Sequence, residues 1–208
     1  MPRGLQIGEK FPVATVFSLG GEEVPLASLC KGPTVLETGS ITCGLYCGRI
    51  TGMNQLMNEF PDFNFLLLYV REAHPGSRIP AHASMHDKLA CARKLCAAEA
   101  EQRTVIVDRL EGTVHQELGA WPNMIFVINA NGNIVHRGDW NHVETTRHVL
   151  QKYRDGSLNG LIDSPFTRAP WRVEARVFRR AGYDALWDFL RQLPMLIWNR
   201  WRQRKAKK

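Results

Sequence analysis

Thr34-Val35-Leu36-Glu37-Thr38-Gly39-Ser40-Ile41-Thr42-Cys43-Gly44-Leu45-Tyr46-Cys47 is the stretch on which the fold reading turns. Thr34 to Thr38 is short, largely apolar and β-branched, and reads as a strand. After the cysteines, Ile50, Met53, Leu56, Met57 and Phe60 recur at helical spacing. Cys43 therefore falls where a strand passes into a helix. Unpaired N–H groups and the positive end of the dipole at such a helix head favour thiolate over thiol. Cys43 is thus expected to be the nucleophile. Cys47 follows one turn later on the same face. At that spacing the Cα atoms stand roughly 6 Å apart, near the upper edge for a disulfide. Local unwinding would be needed, and Gly44 and Gly48 make it easy. The structural alternative is a pair of buried cysteines that only fill core space.

Working outward, Phe63 to Val70 is an apolar run of strand length, expected to be buried on both faces. Ala81 to Gln102 is rich in Ala, Leu, Lys, Arg and Glu and reads as a helix. Thr104 to Asp108 is a third core strand. Val13 to Ser18 and Glu23 to Leu26 flank Gly20-Gly21 as a hairpin. Met124 to Ile128 and Ile134 to Arg137 flank Asn129-Ala130-Asn131-Gly132-Asn133 as another, and Val143, Val149, Leu150 and Tyr153 suggest a closing helix. Strands separated by helices imply a parallel core, and the second hairpin adds an antiparallel edge. This is an α/β chain with a thioredoxin-like fold, an N-terminal β-hairpin and a C-terminal helical, basic aromatic extension.

The chain has 208 residues, 44% hydrophobic and 23% charged, enough for one sizeable core. Without 18 consecutive apolar residues, no transmembrane helix is expected. The start lacks an apolar signal region, so no secretory signal is expected. The five cysteines (Cys30, Cys43, Cys47, Cys91, Cys96) form an odd set, which argues against a disulfide framework. Cys91 and Cys96 are five apart on a helix and read as packing residues, and Cys30 as a small hydrophobe. His82 and His86, with Cys91 or Cys96, could offer metal ligands. Ala83-Ser84-Met85 separates the histidines, however, so H-E-x-x-H is absent and no metal is expected. There is no P-loop, G-x-G-x-x-G or G-x-S-x-G motif, which excludes the obvious nucleotide-binding and serine-hydrolase readings.

Charge is unevenly spread. Residues 168–208 hold 12 Lys and Arg against three acids, a balance of +9, while the remainder sums to −2. Four of the six tryptophans also lie there: Trp171, Trp187, Trp198 and Trp201. The turn-rich stretch 155–168 divides a domain, 1–154, from a linker and basic amphipathic helical tail, 155–208. Tyr183, Leu186, Trp187, Leu190 and Leu193 follow helical spacing. The tail could pack on the body or on a second copy in a homodimer. It could instead lie on an anionic membrane surface through 183–208. Nucleic acid is the least favoured partner. The body is expected to be cytoplasmic, or peripheral on the inner face of a membrane.

His74 is expected to end the Phe63–Val70 strand and to face the crevice, where it could tune Cys43 or donate a proton. Glu72 alternates with His74, so both should share a face, with the carboxylate orienting the imidazole.

Gly39-Ser40-Ile41-Thr42-Cys43, followed by Tyr69-Val70-Arg71-Glu72-Ala73-His74-Pro75, resembles the iodothyronine deiodinase family. The likeness runs from Thr34 to Arg137, through His82, Asp87, Lys88, Val107-Asp108 and Gly119-Ala120. It implies that Cys43 stands where the family has selenocysteine, with Ser40 and Thr42 as that residue's neighbours. Glu72 and His74 then match the acid and histidine beside the reactive centre, and His82 a histidine that contacts substrate or supplies a proton. The chain departs from the family at Ile41, at Gly44-Leu45, at the extra Cys47 and at Asn123. Trp121-Pro122 resembles thioredoxins instead, whose cis-proline at that place faces the active cysteine, so both residues are expected to line the substrate site. The implied activity is that of a thiol oxidoreductase. Cys43 would attack a peroxide, a disulfide or a carbon-bound halogen of a small-molecule substrate, and Cys47 would resolve the product. No bound cofactor is implied, only an external thioredoxin- or glutathione-type thiol reductant. The alternative is a non-catalytic scaffold or membrane-associated interaction protein.

Overall fold

The computed structural model describes residues 4–187 and 189–191. Seven strands form one sheet: β1 (Thr15–Ser18), β2 (Glu23–Pro25), β3 (Thr34–Gly39), β4 (Asn64–Tyr69), β5 (Thr104–Val107), β6 (Ile125–Ile128) and β7 (Ile134–Gly138). Their spatial order is β2-β1-β5-β4-β3-β6-β7. β3 pairs in parallel with β4, and β4 with β5. β6 runs antiparallel to β3 and to β7, and β1 antiparallel to β2 and β5. The expected parallel core and both hairpins are therefore present. β1 docks against β5 rather than standing alone as a hairpin.

β3 is buried at every residue, as a central strand covered on both faces must be. Side chains of β4 alternate between two apolar clusters. Leu66 and Leu68 face Leu36, Ile106, Phe126, Val114 and Leu118. Leu67 and Tyr69 face the opposite way, toward Ile41, Tyr46, Ala92, Leu95 and Val107. Leu67 is fully buried, and Leu67→Ala should cost about 2–5 kcal/mol.

The helices before residue 182 are α1 (Leu26–Leu29), α2 (Gly44–Cys47), α3 (Ile50–Glu59), α4 (Met85–Glu99), α5 (Thr113–Leu118), α6 (Val143–Arg154) and α7 (Trp171–Ala181). Met53 and Leu56 of α3 and Val149 and Leu150 of α6 share an apolar cluster on Val35, Phe65 and Val127. α4 begins later than expected, because the Ser84 side chain accepts a hydrogen bond from the Asp87 N–H and caps it. His82 and His86 therefore do not share a helix face, which corrects the i, i+4 reading. α7 is a helix that the apolar spacing of residues 183–193 did not anticipate. Residues 183–187 and 189–191 are helical as expected. Leu193, Trp198, Trp201 and the basic end Arg200–Lys208 lie outside the described residues. Among the described residues, no helix is long and apolar enough to cross a membrane.

Candidate functional site

β3 carries the chain from the sheet centre to Ser40, Ile41 and Thr42, and Cys43 then caps α2 in an extended conformation. The Cys43 carbonyl accepts the first helical bond, from the Cys47 N–H, at 2.9 Å. Both cysteines are buried, Cys43 at 2% exposure, in one cluster with Ile41, Tyr46, Ile50 and Val177 of α7. No disulfide joins any of the five cysteines.

This burial overturns the expectation of a thiolate favoured by the helix head. Desolvation pushes the Cys43 thiol up to about 12, and Glu174 and Glu37 add to the rise. The Tyr46 backbone N–H and Arg49 pull the other way but do not prevail. Cys47 is likewise held well above its ordinary value, first by burial and then by Glu99. A four-residue helix offers little dipole, whereas removal from water acts on the whole charge.

Beside Cys43 lies a buried acid with every acceptor position filled. One Glu72 oxygen accepts from the Thr42 N–H, at 3.1 Å, and from the Thr42 hydroxyl. The other accepts from the Tyr69 hydroxyl and lies 2.9 Å from His82 Nε2. The Glu72 and His82 side chains are both almost fully buried. β4 stops at Tyr69, so Glu72 and His74 belong to the following loop, where strand alternation does not apply. The histidine that Glu72 holds is accordingly His82, not His74. The His74 ring packs instead against Phe178 and Phe189, with centroids 5.9 and 5.2 Å away, while its backbone N–H donates to the Thr42 hydroxyl at 3.3 Å. The Ser40 hydroxyl accepts from the Ala73 N–H at 3.2 Å. Ser40 and Thr42 thus tie the Glu72 loop to the reactive turn.

Pro122 is trans, since no cis peptide bond occurs among the described residues, which corrects the expected cis-proline. Trp121 stacks on Trp140, and its carbonyl accepts from the Thr38 hydroxyl and lies 2.8 Å from His115 Nε2. That carbonyl braces the end of β3.

A second buried acid, Glu37, was not anticipated as part of the site. It accepts from Arg103 at 2.5 Å and from the Asn123 and Asn141 amides, both at 2.7 Å. Arg103 also pairs with Glu101, which accepts from the Tyr46 hydroxyl. The available signal was a lone acid inside an otherwise uncharged central strand, which can be buried only with partners.

Glu72, His82 and Cys91 each bring one ligand atom within 4.8 Å of the others. Three ligands are the number an open zinc site uses. Both Glu72 oxygens are already occupied by protein donors, however, so the trio reads as a hydrogen-bonded acid rather than a cation site. Burial pushes the Cys91 thiol up to about 11.

The iodothyronine deiodinase family model matches residues 4–154. The chain is 29% identical over 142 residues to thyroxine 5-deiodinases from Sus scrofa and Homo sapiens, covering 62% of this chain and 46% of each relative. It thus spans about half the length of the curated relatives it matches. Among solved structures, it is similar to a putative thiol:disulfide interchange protein DsbE from Chlorobium tepidum. That match has TM-score 0.57 and 19% identity, and covers 75% of this chain and all of that one. An uncharacterized conserved protein from Geobacillus kaustophilus matches at TM-score 0.61 and 14% identity, over 82% of this chain and 93% of that one. These two likenesses show the fold, which is thioredoxin-like. With its whole sheet and the Cys43–Glu72–His82 region inside the matched span, the chain belongs to the iodothyronine deiodinase family.

Proposed function

We propose that the chain reductively removes a halogen from an aromatic carbon, with Cys43 as nucleophile and Cys47 as resolving thiol. The observation that carries this is the buried Glu72–His82 pair, bonded directly to the residue before Cys43. Removing halogen from carbon demands a proton at that carbon, and a desolvated acid–imidazole pair with the Tyr69 hydroxyl attached can hold one. Thiol–disulfide exchange has no such demand on carbon. The names of the thyroxine 5-deiodinase relatives point the same way.

The Cys43 thiolate attacks the halogen. The carbon–halogen electron pair stays on carbon, which takes the proton, and a sulfur–halogen bond forms. Cys47 sulfur then attacks Cys43 sulfur, the halide leaves with its electron pair, and the Cys47 proton is lost. The result is dehalogenated substrate, one proton, one halide and a Cys43–Cys47 disulfide. An external dithiol of the thioredoxin type, or two thiols of the glutathione type, resets the pair and is left as a disulfide. Glu72 keeps His82 oriented, and Thr42 keeps Glu72 beside the reactive turn.

The burial of Cys43 favours a second reading, a scaffold that keeps the fold without turnover. Parallel assays with an iodinated phenol, hydrogen peroxide and insulin disulfide separate the two. Turnover should be fastest on the phenol and lost in Cys43→Ser. Glu72→Gln and His82→Ala should each slow it by about 10²–10⁴-fold, the range of a proton-transfer partner. Unchanged thermal unfolding would show that the variants fold. Faster turnover on peroxide or insulin, indifferent to Glu72→Gln, would reassign the substrate class. No turnover on any of the three would leave the scaffold.

A further inference from the structure

The route to Cys43 is closed by the chain's own C-terminal segment. α7 crosses α2, and Val177 joins the cluster that contains both cysteines. The fit requires glycine at Gly76, where a Cβ would stand 2.5 Å from the Ala181 carbonyl oxygen, while the Glu174 carboxylate lies directly over Gly44. Polar ties hold the segment down. Arg49 donates to the Thr167 carbonyl at 2.8 Å, Arg176 and Arg180 pair with Glu99, and Arg180 reaches the Ile41 carbonyl at 3.4 Å.

The same segment turns an apolar face outward that packs on no cluster among the described residues. Tyr183, Leu186, Trp187 and Leu190 recur at helical spacing and are exposed, Tyr183 at 73% and Trp187 at 66%, and Trp171 is 73% exposed. Ala185 and Phe189 take the inward face, against Phe178. Exposed Arg172, Arg176, Arg179 and Arg191 accompany the outward stripe.

We infer that this segment is a cap that docks on an anionic lipid bilayer and in doing so uncovers Cys43. Charge complementarity selects the occupant. The region 168–208 carries +9, whereas the rest of the chain carries only −2, so a second copy brings little net opposite charge to it. Tryptophan and arginine together suit the headgroup level. A bilayer can shift the cap only if it binds the open form better than the closed form. It has a reason to. In the closed form Val173 and Val177 of α7 are spent on the body, Phe178 on the His74 ring and on Ala185 and Phe189 of its own segment, and Arg176 and Arg180 on Glu99. Once released, those apolar residues form one face of an amphipathic helix, flanked by Arg176 and Arg180 and opposed by Arg172 and Arg179, available to acyl chains and anionic headgroups. The inference deepens the proposed function by giving its site a regulator, but it concerns access rather than turnover.

The test uses the full chain and neutral iodoacetamide, with mass spectrometry reporting alkylation at Cys43. Vesicles of phosphatidylcholine with phosphatidylglycerol should bind the protein at low salt and speed Cys43 alkylation at least about tenfold. Phosphatidylcholine alone should do neither. Trp187→Glu combined with Leu190→Glu should abolish both effects and leave the vesicle-free rate unchanged. Gly76→Ala, which wedges against the Ala181 carbonyl, should raise the vesicle-free rate. The inference is overturned by vesicle binding that leaves Cys43 alkylation unchanged, or by equal binding to both vesicle types. It is also overturned if the stripe variant loses concentration-dependent self-association in sedimentation instead of vesicle binding, which would make a second copy the occupant. Alkylation that responds to vesicles in a protein that turns over neither the iodinated phenol, nor peroxide, nor insulin disulfide would sink the proposed function and leave this inference standing.

Discussion

At the scale of single residues, Cys43 shows how burial outweighs position. The head of a helix is a place that lowers thiol pKa values, and the sequence puts a cysteine there, but the sequence does not display what will lie on top of it. With the thiol pushed up to about 12, thiolate is scarce at neutral pH. The thiolate is the species alkylated, so for the closed form the Cys43 rate should rise about tenfold per pH unit through the neutral and mildly alkaline range. It should not level off until near pH 12. A plateau near pH 7, measured by pH-resolved alkylation, would show an activated thiolate and contradict the closed geometry. The neighbourhood of Cys43 was partly legible. Glu72, His82 and Thr42 were identifiable by resemblance, but the pairing of Glu72 with His82 was not. A loop reverses direction between residues 70 and 84, so neighbours in space there are not neighbours by period. Glu37 was legible in principle, as an acid that a buried strand can hold only with partners.

At the scale of elements, strands and long helices were readable because their apolar periods are strong. α5 was not. It has six residues, and only Val114 and Leu118 mark its buried face along with His115. α7 does carry a signal: Val173, Val177, Phe178 and Ala181 share a face, with Pro170 before the helix and Gly182 after it. Its arginines make the same stretch read as a solvated tail. β7 supplies a prediction of its own. His136 is buried on the inner face of that strand, and desolvation lowers its pKa to about 4. The unfolded chain takes up this proton near the ordinary value of about 6.5, but the folded chain resists it until about 4. Stability is therefore full above pH 6.5, falls by up to about 3 kcal/mol between pH 6.5 and 4, and is flat below as far as this group is concerned. Denaturant unfolding of His136→Leu across that window should show a shallower pH dependence than the parent. Equal slopes would mean that other groups set it. β3 offers another. Glu37→Ala leaves Arg103 with Glu101 as its carboxylate partner but takes the acceptor from the buried Asn123 and Asn141 amides, and should cost about 1–3 kcal/mol, read from the same unfolding curves.

At the scale of the whole molecule, the thioredoxin-like body and the C-terminal segment interlock. The body places Cys43 at the end of its central strand, and α7 seals it. Weakening the seal should change access before it changes the body. In Gly76→Ala the added methyl group meets the Ala181 carbonyl and Ala185, so the segment must shift. Hydrogen exchange should then rise across 166–191 while β3, β4 and β6 keep their protection. Equal loss of protection everywhere would mean that the segment and the body unfold together.

The central claim is that Cys43 takes a halogen from carbon and hands the oxidation to Cys47. A single turnover tests it most directly: fully reduced protein, an iodinated phenol with acidic vesicles present, and no external reductant. The account predicts one iodide released per chain and, in the same sample, a peptide that has lost two hydrogens and links Cys43 to Cys47. In Cys43→Ser neither product should form. Iodide released equally by Cys43→Ser, or a disulfide joining Cys43 to Cys30, Cys91 or Cys96 instead, would contradict it.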